Sequence, residues 1–478
     1  MSSSRVLSNF IWRLLERFGA QGVTFIVSLV LARLLGPEVY GTVAIVLVFI
    51  AIFDVFVDSG LGNALIQKKD ADDVDFSSVF YFNIAACIVL YLIVFLLAPV
   101  FALLYKNDMF VPVLRVMGLE LVISGFKNIQ FAYVSRHLEF KKFFFATLTG
   151  TIIAAPVGIV MALRGYGVWA IVAQNLSNIT IDTIILWITV KWRPKKTFSW
   201  DKLKGLLSYG WKLLASSLLE TVYQKLRQLI IGRRYSTTDL AYYNKGETFP
   251  NTAVNNVNSA MNSVLFPVMS ENQDNPENIK AITKKAISIG SYVLMPMMAG
   301  LAACAEPLVL LMLGEAWLPC VPYLQVFCFV YAFYPFHVAN LNAIKAVGRS
   351  DIYLKQEIAK KIVGILAIII TMRISVFAIA LGLVFTDLID QVINSFPNGK
   401  LINYAYKEQL EDLAGPFFLS VMMGGIVYLI NFVPISSFLQ LIIQIPLGIA
   451  LYVALSKLYR LDIFKYLISS VRMLLKRQ

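Results

Sequence analysis

"LARLLGPEVYG" at 31–41 and "IGRRYSTTDLAYY" at 231–243 decide how this chain of 478 residues is built. Both place an arginine, Arg33 or Arg233, at the end of an apolar stretch. A tight turn, an acidic residue and a tyrosine-bearing restart follow in each. The offset is about 200 residues, and similarity at a fixed offset is the mark of a duplicated architecture. Two further pairs keep the same order. "RGYGVWAIVAQNLSNITID" (164–182) matches "RISVFAIALGLVFTDLIDQ" (373–391), which sets Arg164 against Arg373, Asn178 against Asp387 and Asp182 against Gln391. "RHLEFKKFF" (136–144) matches "RSDIYLKQE" (349–357).

The material being duplicated is membrane helix. The chain is 58% hydrophobic and 15% charged, with a mean hydropathy of +0.71, which is too apolar for a soluble protein of this length. About fourteen apolar segments recur, each near the ~20 residues that a spanning helix needs. They run roughly 12–34, 40–65, 78–104, 109–135, 143–163, 167–190, 205–232, 239–268, 282–304, 320–344, 355–373, 375–395, 413–431 and 436–456. The expected fold is an all-α polytopic membrane protein with about 14 transmembrane helices. The repeats divide it into two pseudo-symmetric six-helix lobes, 1–196 and 197–410. Residues 411–478 add two C-terminal helices and a basic tail. An even number of spans per lobe makes the repeats parallel, and repeats of this kind place a substrate between lobes.

The net charge of +13 has to be located before it is interpreted. With the N-terminus inside, thirty Lys and Arg fall on the inner side and six on the outer. The positive-inside rule therefore puts both termini in the cytoplasm. The surplus is explained by that bias and by an anionic leaflet, not by nucleic acid. The remaining cations, Arg115, Lys127, Lys212, Lys225, Arg227 and Lys245, lie within spans. The N-terminus lacks the small-residue cleavage site of a secretory signal. Outer loops are short, the longest near 305–319, so no external domain exists to house catalysis. There is no phosphate-binding loop, HExxH or GxSxG, which removes nucleotide hydrolysis and the common hydrolases. Cys87, Cys304, Cys320 and Cys328 have no CxxC or metal spacing. No catalytic residue, metal ligand or bound cofactor is expected. Both histidines, His137 and His337, read as structural or interfacial.

Polar residues inside spans carry the functional signal. Asn244, Thr248, Asn251, Asn255, Asn258 and Asn262 step by three and four, which is one face of a helix. Carboxamides both donate and accept, so such a stripe suits a hydroxyl-rich ligand. One or two would read as glue between helices; six on one stripe favour a water-filled cavity. Glu220, Gln224 and Arg227 form a face in "SLLETVYQKLRQLIIGRR" (217–234), with Lys225 off it. Glu120, Ser124 and Lys127 share another face, and Arg13, Arg17, Thr24 and Ser28 a third. Asp54 and Asp58 are one turn apart, and Asp387, Gln391 and Asn394 line up in the same way. Charges in spans are costly and face a cavity or a partner. For Glu220–Arg227 and Glu120–Lys127, pairing and substrate contact are equally open. Pro156, Pro250, Pro267 and Pro296 fall inside spans as kinks or hinges.

"LARLLGPEVYGTVAIVLVFIAIFDVFVDSGLGNALIQKK" (31–69), "RGYGVWAIVAQ" (164–174) and "LIIGRRYSTTDLAYYNKGETFPN" (229–251) resemble the Wzx-type polysaccharide exporters of the multidrug/oligosaccharidyl-lipid/polysaccharide flippase superfamily. "YYN" (242–244) and "SVLFPVMS" (263–270) are similar to the colanic-acid-type members. The resemblance implies a bacterial inner-membrane flippase. It would carry an undecaprenyl-pyrophosphate-linked repeat unit to the outer leaflet by alternating access. On that basis Asn244, Asn251, Asn255 and Asn258 face sugar, and Arg17, Lys127, Arg227 and Lys245 face pyrophosphate. Glu220 and Gln224 line the same cavity. Asp54, Asp58 and Asp387 are candidate coupling carboxylates, with proton or sodium coupling both open. Many relatives carry Asp where this chain has Arg227, which fits a more cationic cavity. The partners implied are the lipid-linked oligosaccharide, the phospholipid bilayer and a polysaccharide polymerase machinery, with no nucleic acid, and two complete lobes allow a working monomer. The alternatives are a drug or metabolite antiporter of the same superfamily and a membrane polymerase or ligase; the latter needs an external loop that is missing here.

Overall fold

The computed structural model describes residues 3–58, 60–461, 463–467 and 469. Side chains are described from Gly19 onward, except at 20, 256, 259 and 260. Among these residues every regular element is a helix. The order is α1 (Ser3–Asp58), α2 (Leu61–Gln67), α3 (Asp73–Tyr105), α4 (Phe110–Met117), α5 (Leu119–His137), α6 (Phe140–Leu163), α7 (Val168–Thr189), α8 (Trp200–Arg234) and α9 (Thr237–Glu271). There follow α10 (Pro276–Ala303), α11 (Ala305–Met312), α12 (Val321–Ala332), α13 (Tyr334–Ala346), α14 (Ser350–Thr371), α15 (Val376–Leu401), α16 (Tyr406–Tyr428) and α17 (Ser437–Leu458).

All fourteen apolar segments fall on helical chain, and the protein is a multi-pass membrane protein. Nine stretches among the described residues are long and apolar enough to cross a bilayer, fewer than the fourteen expected. The segments that fall short are the polar ones. α8 carries Lys212, Glu220, Lys225 and Arg227, α9 carries the carboxamide stripe, α5 carries Glu120 and Lys127, and α14 carries Lys355, Glu357, Lys360 and Lys361. Two expected helices are broken, at Gly118 between α4 and α5 and at Phe333 between α12 and α13. The first two segments are two helices that meet within α1 at the non-helical Gly36 (φ 74°, ψ 173°) before Pro37. That left-handed φ favours glycine, and proline cannot donate a hydrogen bond to the preceding turn.

Backbone packing resolves two compact units, residues 1–241 and 242–478. In the first, α6 lies along α7 and α1. Lipid supplies no hydrophobic drive between helices, so close packing of small residues holds them. A Cβ at Gly158 would sit 2.7 Å from Gln174 Cβ, and one at Gly125 2.8 Å from Cys87 Sγ. Gly41 rests directly on the Thr237 backbone. In the second unit α10 lies along α16, Gly290 accommodates Pro335, and Gly246 accommodates Tyr323.

One end of the first unit is tied by ions and caps. Asp72 caps α3 by accepting from the N–H groups of Val74 (3.1 Å) and Asp75 (2.9 Å). The Asp75 carboxylate accepts from the Asp72 N–H (3.1 Å) and pairs with Lys68 at 2.7 Å while fully buried. Lys202 reaches Asp72 at 2.5 Å and Lys195 reaches Asp73 at 2.6 Å. The Lys202 hydrogen bond and the backbone N–H of Asp75 hold the Asp72 carboxyl down at about 2. Arg136 closes α2 by donating to the carbonyls of Leu65 (2.7 Å), Lys68 (2.5 Å) and Lys69 (2.7 Å). In the second unit Lys280 pairs with Glu408 (2.8 Å) and Lys284 with Asp412 (3.0 Å). These ties use the segments that carry the basic surplus of the sequence.

Candidate functional site

The α9 stripe divides into two parts. Asn255 Nδ2 donates to Asn251 Oδ1 at 2.5 Å, one turn along the same helix. Asn255 is exposed and Asn251 half-buried. Further along, Asn262 donates to Asn258 Oδ1 (2.6 Å) and accepts from Asn342 of α13 (2.8 Å). Asn258 Nδ2 lies 3.4 Å from the Tyr334 hydroxyl, also of α13. The C-terminal half of the stripe thus binds α9 to α13, and Asn251 and Asn255 keep unused donor and acceptor capacity. Asn244 Oδ1 is buried without a hydrogen-bond partner. Lys245 turns off the stripe into the interior beside Cys320, only 4% exposed.

On α8, Gln224 donates to Glu220 at 2.9 Å, and the Arg227 guanidinium lies 6.0 Å from the centroid of the Tyr223 ring. The polar face expected here exists, with part of its capacity used within the helix. Arg17 lies outside the described side chains.

The first unit also gathers acids around one lysine. Lys127 Nζ pairs with Asp182 of α7 at 2.5 Å, and Asp182 is 4% exposed. Asp54, Asp58 and Glu120 each lie within electrostatic reach of Lys127. Asp54 also faces Glu120 and Asp58. One oxygen each of Asp54, Glu120 and Asp182 is buried with no hydrogen-bond partner. Among the described residues, four carboxylates therefore lie around the Lys127 ammonium group inside apolar helices. Arg115 is separate from this cluster; it donates to the Phe95 carbonyl at 3.2 Å and stacks on the Phe95 ring.

In the second unit, Asp387 accepts from His337 Nε2 (2.9 Å) and from Gln391 (3.0 Å). Asn394 Nδ2 sits 2.9 Å from His337 Nδ1. The second unit also holds a pocket of about 480 Å³ lined mainly by apolar side chains of α9, α10, α16 and α17, among them Phe249, Leu301, Met423, Leu441, Ile445 and Tyr452. Its polar member Gln444 is buried and donates to Asn431 at 2.7 Å. Among the described residues no three His, Cys, Asp or Glu side chains gather as a metal ion would need.

A family model described as "Polysaccharide biosynthesis protein" matches residues 30–322. The chain belongs to the polysaccharide biosynthesis protein family. Within reach of this family, the chain is 24% identical over 431 residues to the lipopolysaccharide biosynthesis protein WzxC of Escherichia coli, covering 87% of this chain and 86% of that one. It is 25% identical over 317 residues to the succinoglycan biosynthesis transport protein ExoT of Rhizobium meliloti, covering 66% of this chain and 64% of that one. Among solved structures, the lipid II flippase MurJ in an inward closed conformation superposes with a TM-score of 0.71 at 14% identity, over 96% of this chain and 99% of that one. The fold is that of MurJ.

For a member of the polysaccharide biosynthesis protein family the spread of site residues is informative. The sequence singled out Lys127, Asp54 and Asp58 separately, and the fold brings them together. Asp182 and His337 had no functional role assigned from sequence. The signal for Asp182 was an acid in mid-span one turn after Asn178. For His337 it was an imidazole in an apolar segment of a chain with two histidines.

Proposed function

We propose that this chain carries a lipid-linked oligosaccharide, an undecaprenyl-pyrophosphate-linked repeat unit, from the cytoplasmic to the outer leaflet of the bacterial plasma membrane. The observation that carries the reading is the Asn251–Asn255 carboxamide pair on α9, with Asn255 exposed, in a chain whose relatives are named for polysaccharide biosynthesis. Carboxamides match sugar hydroxyls without a net charge to desolvate. The apolar pocket of the second unit suits a hydrocarbon tail, and α8 supplies Arg227 for pyrophosphate. Alternating access follows from the parallel repeats in the sequence. Both termini lie in the cytoplasm on this reading, with Asp54, Asp58 and Asp387 as the coupling carboxylates for protons or sodium. The protein works as a monomer, not as an enzyme, and hands its cargo to a polysaccharide polymerase machinery.

A deletion strain tests this directly. Extracted lipids should contain accumulated pyrophosphate-linked oligosaccharide while surface polysaccharide disappears, and the mass of the intermediate identifies the sugar. One observation favours a second reading, a drug or metabolite antiporter: the acid excess around Lys127 suits a cationic cargo. Unchanged lipid intermediates with new sensitivity to small cationic compounds would establish that reading instead.

A further inference from the structure

We propose that His337 is a proton-binding residue of the transport cycle, loaded from water and read out by the amide of Asn394. The role in a cycle rests on the transporter reading above; the proton site itself rests on geometry. His337 is 13% exposed in α13, and both its ring nitrogens are engaged by α15. Asn394 presents its Nδ2 to Nδ1 at 2.9 Å, so Nδ1 is the acceptor and the ring N–H sits on Nε2, facing Asp387 Oδ1 at 2.9 Å. Asn394 Oδ1 is meanwhile buried with nothing donating to it, and so is Asp390 Oδ1. A buried acceptor without a donor is costly. A proton on Nδ1 supplies the missing donor. Turning the Asn394 amide by half a turn then brings Oδ1 where Nδ2 stood, and imidazolium donates from both nitrogens.

Charged groups of three helices surround the ring. Asp390 lies within electrostatic reach of His337, Asp387, Lys360 and Glu357. Glu357 of α14 pairs with Lys360 at 2.6 Å and Lys361 at 3.5 Å. With Lys345 of α13, which lies within electrostatic reach of Glu357 and Lys360, three carboxylates and three ammonium groups meet in this region. α12 carries no Lys, Arg, Asp or Glu; on α10 Lys280 and Lys284 pair with Glu408 and Asp412, and Lys285 lies over the Tyr466 ring. Glu247 of α9 accepts from the Tyr331 hydroxyl at 2.9 Å. Imidazole is the side chain whose protonation changes in the physiological range.

Only two histidines exist, so a His137→Gln variant leaves one imidazole to observe. That variant, labelled with 15N-histidine and reconstituted in liposomes, is followed by NMR as pH falls. The expected result is an Nε2-protonated tautomer at high pH that converts to a doubly protonated ring, with the midpoint lowered by Asp387→Asn. A ring that stays in one neutral tautomer wherever the protein is folded overturns the proposal. So does a midpoint that Asp387→Asn leaves unchanged. In a flipping assay with lipid-linked oligosaccharide, His337→Gln should lose the pH dependence that His137→Gln retains; retention by both excludes His337 from the cycle. A protein that shows the titration but moves no lipid-linked oligosaccharide at any pH keeps the proton site and refutes the substrate reading.

Discussion

Lys127 is held by Asp182, 2.5 Å away on α7, although Glu120 shares its own face on α5. The partner across the helix interface is the one that fixes the lysine. Removing an ion from a buried, mutually compensated group leaves the rest uncompensated, which costs about 3–5 kcal/mol. Lys127→Met should therefore lower stability by about that amount, measured by denaturation in detergent, and Glu120→Gln by less. Adding Asp182→Leu to Lys127→Met should recover part of the loss. An additive double mutant would show that the two do not act as a pair.

The halves of the α9 stripe should separate by phenotype. Asn251→Leu with Asn255→Leu should abolish export and leave folded protein in the membrane, because these two bond only each other among the described contacts. Asn262→Leu removes bonds to Asn258 and Asn342 and should cost about 1 kcal/mol of stability. Export assays beside thermal unfolding read the two outcomes. Normal export by the double variant would make the whole stripe packing.

Gly41 is the tightest close approach in the first unit, where a Cβ would fall 1.8 Å from the Thr237 carbonyl oxygen. Gly41→Ala should therefore cost at least the roughly 1–3 kcal/mol seen when cores are overpacked. Gly205 on α8 meets nothing within 4 Å. Gly205→Ala should be neutral or stabilise by roughly 0.5–1 kcal/mol, since alanine holds a helix better. Comparing the melting temperatures of the two variants checks both at once.

The α3 cap sets a pH dependence of known sign. Asp72 is held at about 2, below the ordinary carboxyl range, chiefly by Lys202. A depressed carboxyl contributes stability that is present above its unfolded value near ~3.9 and lost as pH falls through its folded value. Wild type should lose thermal stability between about pH 4 and about pH 2, and Lys202→Met should lose less over that interval because less was gained. Equal losses in both proteins would place the acid-sensitive contact elsewhere.

The helical segments were legible because their signal is local. Apolar length and a 3.6-residue period need no knowledge of neighbours, and so the fourteen segments and the face from Asn244 to Asn262 could be read directly. Partners were not legible. Lys127 and Asp182 are 55 positions apart, and periodicity orders only residues on the same helix. Lys245 shows the same limit. Its sequence neighbours Asn244 and Asn251 place it near a polar face, while the packing of α9 turns it inward to Cys320. His337 carried only the signal of a lone imidazole in an apolar segment, which gains meaning from Asp387 and Asn394 on a helix it reaches through folding.

The joint at Gly36–Pro37 has a mechanical consequence. This joint lies between the first two apolar segments, 12–34 and 40–65, where one helix ends and the next begins. Here the bend is already made, glycine takes the left-handed φ without a side chain to clash, and proline has no N–H to lose. The two arms of α1 can be re-angled about this point without sacrificing a bond at Pro37. The turn between the two helices of α1 is thus set by backbone conformation, and an ordinary residue at Gly36 would be strained in that left-handed φ.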